Sequence, residues 1–186
     1  VIGMVYYITP SRKDIIMKTL TAIFFILFTL VMLPDIAYGA SSEVTWTDYE
    51  KYRDIYPSNN ESRKHFRERT FKNFEKHFTK LAEKLPEGQI VKIDVTDVDL
   101  AGDTYVGDIN QLRIVKDVYF PQMDFSYQLL NADGSEVMSG KVELKDMSFL
   151  WRNNLRYNQD SLSYEKKMLD DWFADTFKDQ IVVQEK

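Results

Sequence analysis

The sequence predicts an α+β domain in which an antiparallel or mixed sheet of about four to five strands is packed by two helices. Three patterns carry that expectation. Two long segments place apolar residues at three- and four-residue steps, as amphipathic helices do. Between them, residues 90–96 alternate Val91, Ile93 and Val95 with Lys92, Asp94 and Thr96, the pattern of a strand with one buried face. Further on, Asp133-Gly134 separates two alternating segments, which marks a tight hairpin.

In chain order, the β-branched and aromatic residues Val44, Thr45, Trp46 and Thr47 open a short strand, and Pro57-Ser58-Asn59-Asn60 breaks the segment that follows. From Glu61 onward, Phe66, Phe71, Phe74, Phe78, Leu81, Ala82 and Leu85 define an amphipathic helix of about six turns. Asn59 or Asn60 is expected to cap it, and Pro86-Glu87-Gly88 to end it. After the strand at 90–96 come a second at 112–119, stopped by Phe120-Pro121, and two more at 123–131 and 136–144 joined through Ala132-Asp133-Gly134-Ser135. Residues 161–177 return to helix, with Leu162, Glu165, Met168, Leu169, Trp172, Phe173 and Thr176 on one stripe. The expected order is therefore β-α-β-β-β-β-α.

Ahead of this domain, Met17-Lys18 precedes an uncharged apolar run from Leu20 to Leu33, and Pro34 with the small residues Ala37, Gly39 and Ala40 follows. Basic start, apolar centre and small-residue exit are the parts of a secretory signal peptide. The run is too short to span a hydrocarbon core of about 30 Å as a helix. Residues 1–39 are thus read as upstream residues and a cleavable leader starting at Met17, cut after Gly39 or, second, after Ala40. Residues 40–186 remain as a single globular domain, exported and without a stable membrane anchor.

The formal charge of −5 falls to −6 once the leader is removed. A net acidic chain is a poor partner for nucleic acid or anionic lipid. The basic residues of 63–84 are interleaved with Glu68, Glu75 and Glu83, as on a solvated helix face with local ion pairs. Cysteine is absent, which excludes disulfides, thiolate metal sites and a lipid-bearing cysteine, so the core alone must stabilise the exported domain. Its 12 Phe, 11 Tyr and 3 Trp supply the large side chains for that core or for a recognition platform.

Candidate chemistry is sparse. Asp97, Asp99 and Asp103, with Gly102 in a turn, are spaced to direct several oxygens at a hard cation. Counting from Asp97, the twelfth position is Asp108, too short to replace the bidentate Glu of a calcium loop, and turn amides are the plainer partners for these carboxylates. His65 and His77 stand twelve residues apart on one helix and cannot share an ion from it; His65 reads as an exposed or edge histidine. No serine occupies a glycine-flanked nucleophile elbow, and there is neither a Gly-rich phosphate loop nor a His-Glu-x-x-His motif. The segment 149–160 mixes Trp151, Arg152, Arg156 and Tyr157 with asparagines, a composition typical of recognition surfaces. The plainer reading of that segment is a long connection whose Trp151 and Leu155 tuck into the core.

Several motifs in series, Glu83-Lys84-Leu85-Pro86-Glu87-Gly88, Thr96-Asp97-Val98-Asp99-Leu100-Ala101-Gly102-Asp103, Ile114-Val115-Lys116-Asp117-Val118-Tyr119, Leu155-Arg156-Tyr157 and the run from Tyr164 to Phe173, resemble a family of exported proteobacterial proteins, domain of unknown function 3016. The resemblance covers nearly all of the mature chain. It implies a Gram-negative host and a periplasmic address, and it brings no activity and no catalytic residues. The leading expectation is therefore a non-catalytic binding or envelope-associated domain that recognises an envelope protein or periplasmic component through Trp151, Arg152, Arg156 and Tyr157, with no cofactor. The alternative is a carboxylate- or metal-dependent periplasmic hydrolase built on Asp97, Asp99 and Asp103. A structural domain that dimerises through a sheet edge is the third.

Overall fold

A four-stranded mixed sheet with both helices on one face organises the computed structural model, which describes residues 39–57, 61–104, 112–151, 160 and 162–181. The expected leader, except for its last residue Gly39, lies outside the described residues. The elements are β1 (Ser41–Trp46), α1 (Arg63–Ala82), β2 (Ile90–Asp99), β3 (Asp103–Thr104), β4 (Arg113–Ile114), β5 (Gln122–Leu130), β6 (Glu136–Lys145) and α2 (Ser163–Thr176). The sheet runs β1-β2-β5-β6, parallel between β1 and β2 and antiparallel elsewhere, while β3 and β4 pair by themselves. The α+β class and the order of strands and helices follow the sequence pattern.

The first helix starts two residues beyond the expected Glu61, and its cap is Ser62, whose Oγ accepts from the His65 amide at 3.2 Å, rather than Asn59 or Asn60, which lie outside the described residues. Serine serves as well as asparagine in that position because its oxygen meets an amide that the first turn leaves unpaired. Phe66, Phe74, Phe78, Leu81 and Ala82 are buried. Phe71 is half-buried and stacks on Trp46 of β1 with ring centroids 3.9 Å apart. On α2, Met168, Leu169, Trp172 and Phe173 are buried as the periodicity requires.

Strand β2 keeps its predicted alternation and then continues to Asp99. Thr96 is an extra residue there: Val95 faces Phe125, and the next pair is Asp97 with Asp124. Such a bulge lets Val95 and Val98, three positions apart, both enter the core, and it leaves Asp97 and Asp99 on the opposite face. Phe125 on β5 meets Phe78 at 6.4 Å and Trp172 at 4.7 Å, which puts both helices on the same side of the sheet. Tyr127 packs edge-on against Trp172 and Phe177, and its ring lies across Gly140 of β6, where an added Cβ would stand 2.9 Å from Tyr127 Cε1. Glycine at 140 is what admits that ring.

The Asp133-Gly134 hairpin forms as expected, with Gly134 at φ 82° and the Asn131 amide bonded to the Ser135 carbonyl at 2.9 Å. The strand expected at 112–119 does not form at that length. Among the described residues only Arg113 and Ile114 pair, with Thr104 and Asp103, and Leu112, Ile114, Val115 and Val118 are exposed, so no burial rewards extended pairing. Among the described residues no helix is long and apolar enough to cross a membrane.

Candidate functional site

Where β2 and β6 end and β5 begins, three connections meet at one end of the sheet. The Gly102 amide bonds to the Tyr119 carbonyl at 2.9 Å, and the Asp146 amide to the Pro121 carbonyl at 3.2 Å, so the connections at 100–102, 115–121 and 146–151 brace one another. Arg113 fastens them to the body. Its Nη1 donates to Asp54 Oδ2 at 2.8 Å and to the Gly102 carbonyl at 2.7 Å, and its Nη2 to the Tyr56 carbonyl at 3.0 Å. From below, the buried Glu165 of α2 accepts the Ala101 amide on Oε1 at 2.7 Å. Its Oε2 has no hydrogen-bond partner among the described residues, and burial pushes this carboxyl above its ordinary range.

This braced end displays apolar side chains. Apart from Tyr49, every exposed large apolar side chain among the described residues lies on these connections, on β4 or, for Leu112, directly before β4. Trp151 is the extreme case, 88% exposed at the end of the 3-10 turn Phe149–Trp151, with Met147 at 69% and Val118 at 65%. The turn is anchored by Phe149, buried and edge-on to Tyr164 at 4.8 Å, so Trp151 stands clear of the core rather than tucking into it. Of the other residues expected to form the recognition surface, Arg152, Arg156 and Tyr157 lie outside the described residues, as does Leu155.

The three aspartates do not form a loop. Asp97 and Asp99 sit on the polar face of β2, and Asp103 opens β3 opposite Ile114. Arg53 takes up Asp97: its backbone amide donates to Asp97 Oδ1 at 2.9 Å, its Nε pairs with Asp97 Oδ2, and its Nη2 reaches Asp124 Oδ2 at 2.6 Å. Asp99 accepts from Gln122 Nε2 at 3.2 Å. Burial, and then the neighbouring Asp54 carboxylate, push Asp99 up to about 6, against the opposing pull of Arg53. Among the described residues no three His, Asp or Glu side chains are grouped so as to hold a metal ion.

The histidines part ways. His65 is exposed and pairs with Glu61, Oε1 at 2.8 Å, and Glu61 also holds Arg69, whose hydrogen bond draws that carboxyl below its usual range. His77 is buried, its Nε2 standing 3.1 Å from Asp170 Oδ1 on α2. Phe74, His77, Phe78 and Leu81 share one helical stripe, and that spacing was the available signal for its burial.

Compared with known proteins, residues 40–175 match the model of the family described as Protein of unknown function (DUF3016). No curated protein and no solved structure matches the chain.

Proposed function

The chain belongs to that family, DUF3016, and from its own geometry we propose that it is an exported periplasmic domain that binds an envelope protein through the apolar end of its sheet. The observation that carries this reading is Trp151, almost fully exposed on a turn that buried Phe149 holds in place. Solvent-exposed tryptophan is costly to leave uncovered, and tryptophan is among the residues that contribute most when an interface closes over them. A rigid base matters equally. The Arg113 and Glu165 contacts fix the connections before a partner arrives, so little ordering entropy opposes binding.

The net acidic charge favours a protein over an anionic lipid surface as partner. The leader pattern supports export, and Ala40 packs into the core at the foot of β1, so a cut after Gly39 leaves that core whole. The test is capture from the envelope fraction of a Gram-negative host that encodes the protein. Trp151→Ala combined with Met147→Ser abolishes capture of one dominant stoichiometric partner while the melting temperature stays unchanged. Retained capture, or binding to protein-free lipid vesicles, overturns the reading.

One observation favours a second reading, a carboxylate-dependent hydrolase using Asp97, Asp99 and Asp103: the Asp99 carboxyl, near 6, is suited to proton exchange close to neutral pH. Its metal version requires millimolar calcium, magnesium, manganese or zinc to raise the melting temperature, and Asp97→Asn and Asp99→Asn to remove that rise.

A further inference from the structure

Strand β6 ends the sheet, with β5 on one side and, among the described residues, no strand on the other. Its outer edge runs over 10 residues, Glu136–Lys145, without a proline, and no described backbone group bonds to it from outside the sheet. An uncovered edge of that length is a template for another strand unless its side chains oppose pairing. The register with β5 sets its faces. Met138, Val142 and Leu144 lie opposite Leu129, Phe125 and Met123 on the helix side, and they are only partly buried against the core. Ser139, Lys141, Glu143 and Lys145 take the polar side and are exposed. Neither Lys141 nor Glu143 makes an ion pair with a described residue.

A second copy of the chain offers the strand that fits this edge. Two copies continue one sheet with all helices on one face only when each residue of β6 meets one of its own face, so that the two-fold axis passes through a single residue. Charge then separates the registers. Centring on Lys141 sets its ammonium against the same group of the second copy, and centring on Glu143 does the same for the carboxylate and brings Lys141 to Lys145. Centring on Gly140 places Lys141 opposite Ser139 and gains no ion pair. Centring on Val142 places Lys141 opposite Glu143 of the second copy and Glu143 opposite its Lys141, flanking a contact of Val142 with Val142, while Leu144 comes over Gly140. Opposite charges directly across a ladder stabilise it, and like charges destabilise it. We propose that the chain forms a two-fold dimer by antiparallel pairing of β6 with β6 of a second copy, centred on Val142. The same two side chains favour this register and penalise its neighbours, so Lys141 blunts the edge against other strands and admits this one. The dimer leaves the apolar end of the sheet open and does not depend on a partner at Trp151.

The experiment measures the mass of the full mature chain by size-exclusion chromatography with light scattering over a dilution series. The unmodified chain is expected at dimer mass at the concentrated end. Lys141→Glu and Glu143→Lys each leave only like charges at the facing positions and weaken the dimer about tenfold or more. Lys141→Glu/Glu143→Lys exchanges the charges, restores both pairs and returns the dimer to its original strength. Equimolar mixing of the two single variants also restores dimer mass, since each supplies the charge the other lacks, and that recovery shows both to be folded. A monomer at every concentration, an assembly indifferent to the single reversals, or one that neither exchange nor mixing restores overturns the proposal. So does an assembly lost instead in Trp151→Ala/Met147→Ser, which would place the contact at the apolar end.

Discussion

Phe149 and Trp151 stand two residues apart on one 3-10 turn, and the fold treats them oppositely: Phe149 is 1% exposed against Tyr164, and Trp151 is 88% exposed. A short turn with one aromatic sunk in the core presents the other in a fixed direction. On the proposed reading, that division of labour separates stability from recognition within three residues.

Truncation should separate them experimentally. Phe149→Ala removes a fully buried ring and is expected to cost about 3–5 kcal/mol in urea unfolding, whereas Trp151→Ala should change stability by no more than about 0.5 kcal/mol. A large loss from Trp151→Ala would mean that its ring supports the fold.

Arg113 is the clip that holds the apolar end together, because one guanidinium satisfies Asp54 and the carbonyls of Gly102 and Tyr56. Both members of its ion pair are largely shielded from solvent. Arg113→Ala strands the Asp54 carboxylate and is expected to cost about 3 kcal/mol, at the lower end of the cost of breaking a buried pair. Arg113→Lys should restore less than half of that, since an ammonium cannot reproduce the planar fork. Chemical denaturation of the three proteins checks both statements.

Asp99 gives a pH signature of known sign. Its carboxyl titrates near 3.8 when free and is pushed up to about 6 in the fold, so the folded state holds that proton more tightly than the unfolded chain. The ionised form is therefore disfavoured by folding. Its penalty is absent below about pH 4, grows as pH rises, and is complete above about pH 6. Asp99→Asn keeps an acceptor for Gln122 and removes the charge. It should raise the melting temperature at about pH 7.5 and leave it unchanged at about pH 3.5. Equal effects at both values would show that burial and Asp54 do not act on this carboxyl.

Much of this architecture could be read from local pattern. Val91, Ile93 and Val95, the phenylalanines of α1 and the Trp172-Phe173 stripe of α2 declared their faces because the period of side-chain exposure is a local property. The exposure of Trp151 was not local: the plainer sequence reading tucked Trp151 into the core, and only the packing of Phe149 on Tyr164 decided which ring went in. The strand at 112–119 failed for a related reason, since β-rich composition cannot show that its only partner among the described residues is the two-residue β3. The reach of Arg53 to Asp97 and Asp124, 44 and 71 residues away, depends on the bulge at Thr96 and left no trace in spacing. His77 was within reach of the periodicity argument, and its partner Asp170 was not, because helix-to-helix register is set by tertiary packing.

The most direct measurement is site-specific photo-crosslinking in living cells of a Gram-negative host that encodes the protein, with the leader intact and the photoreactive residue placed at position 151 or, as a control on the polar sheet face, at position 141. The account predicts one dominant, stoichiometric adduct with a single envelope protein from position 151 and no adduct with that protein from position 141. Absence of an adduct at 151, or the same adducts from both positions, would contradict it.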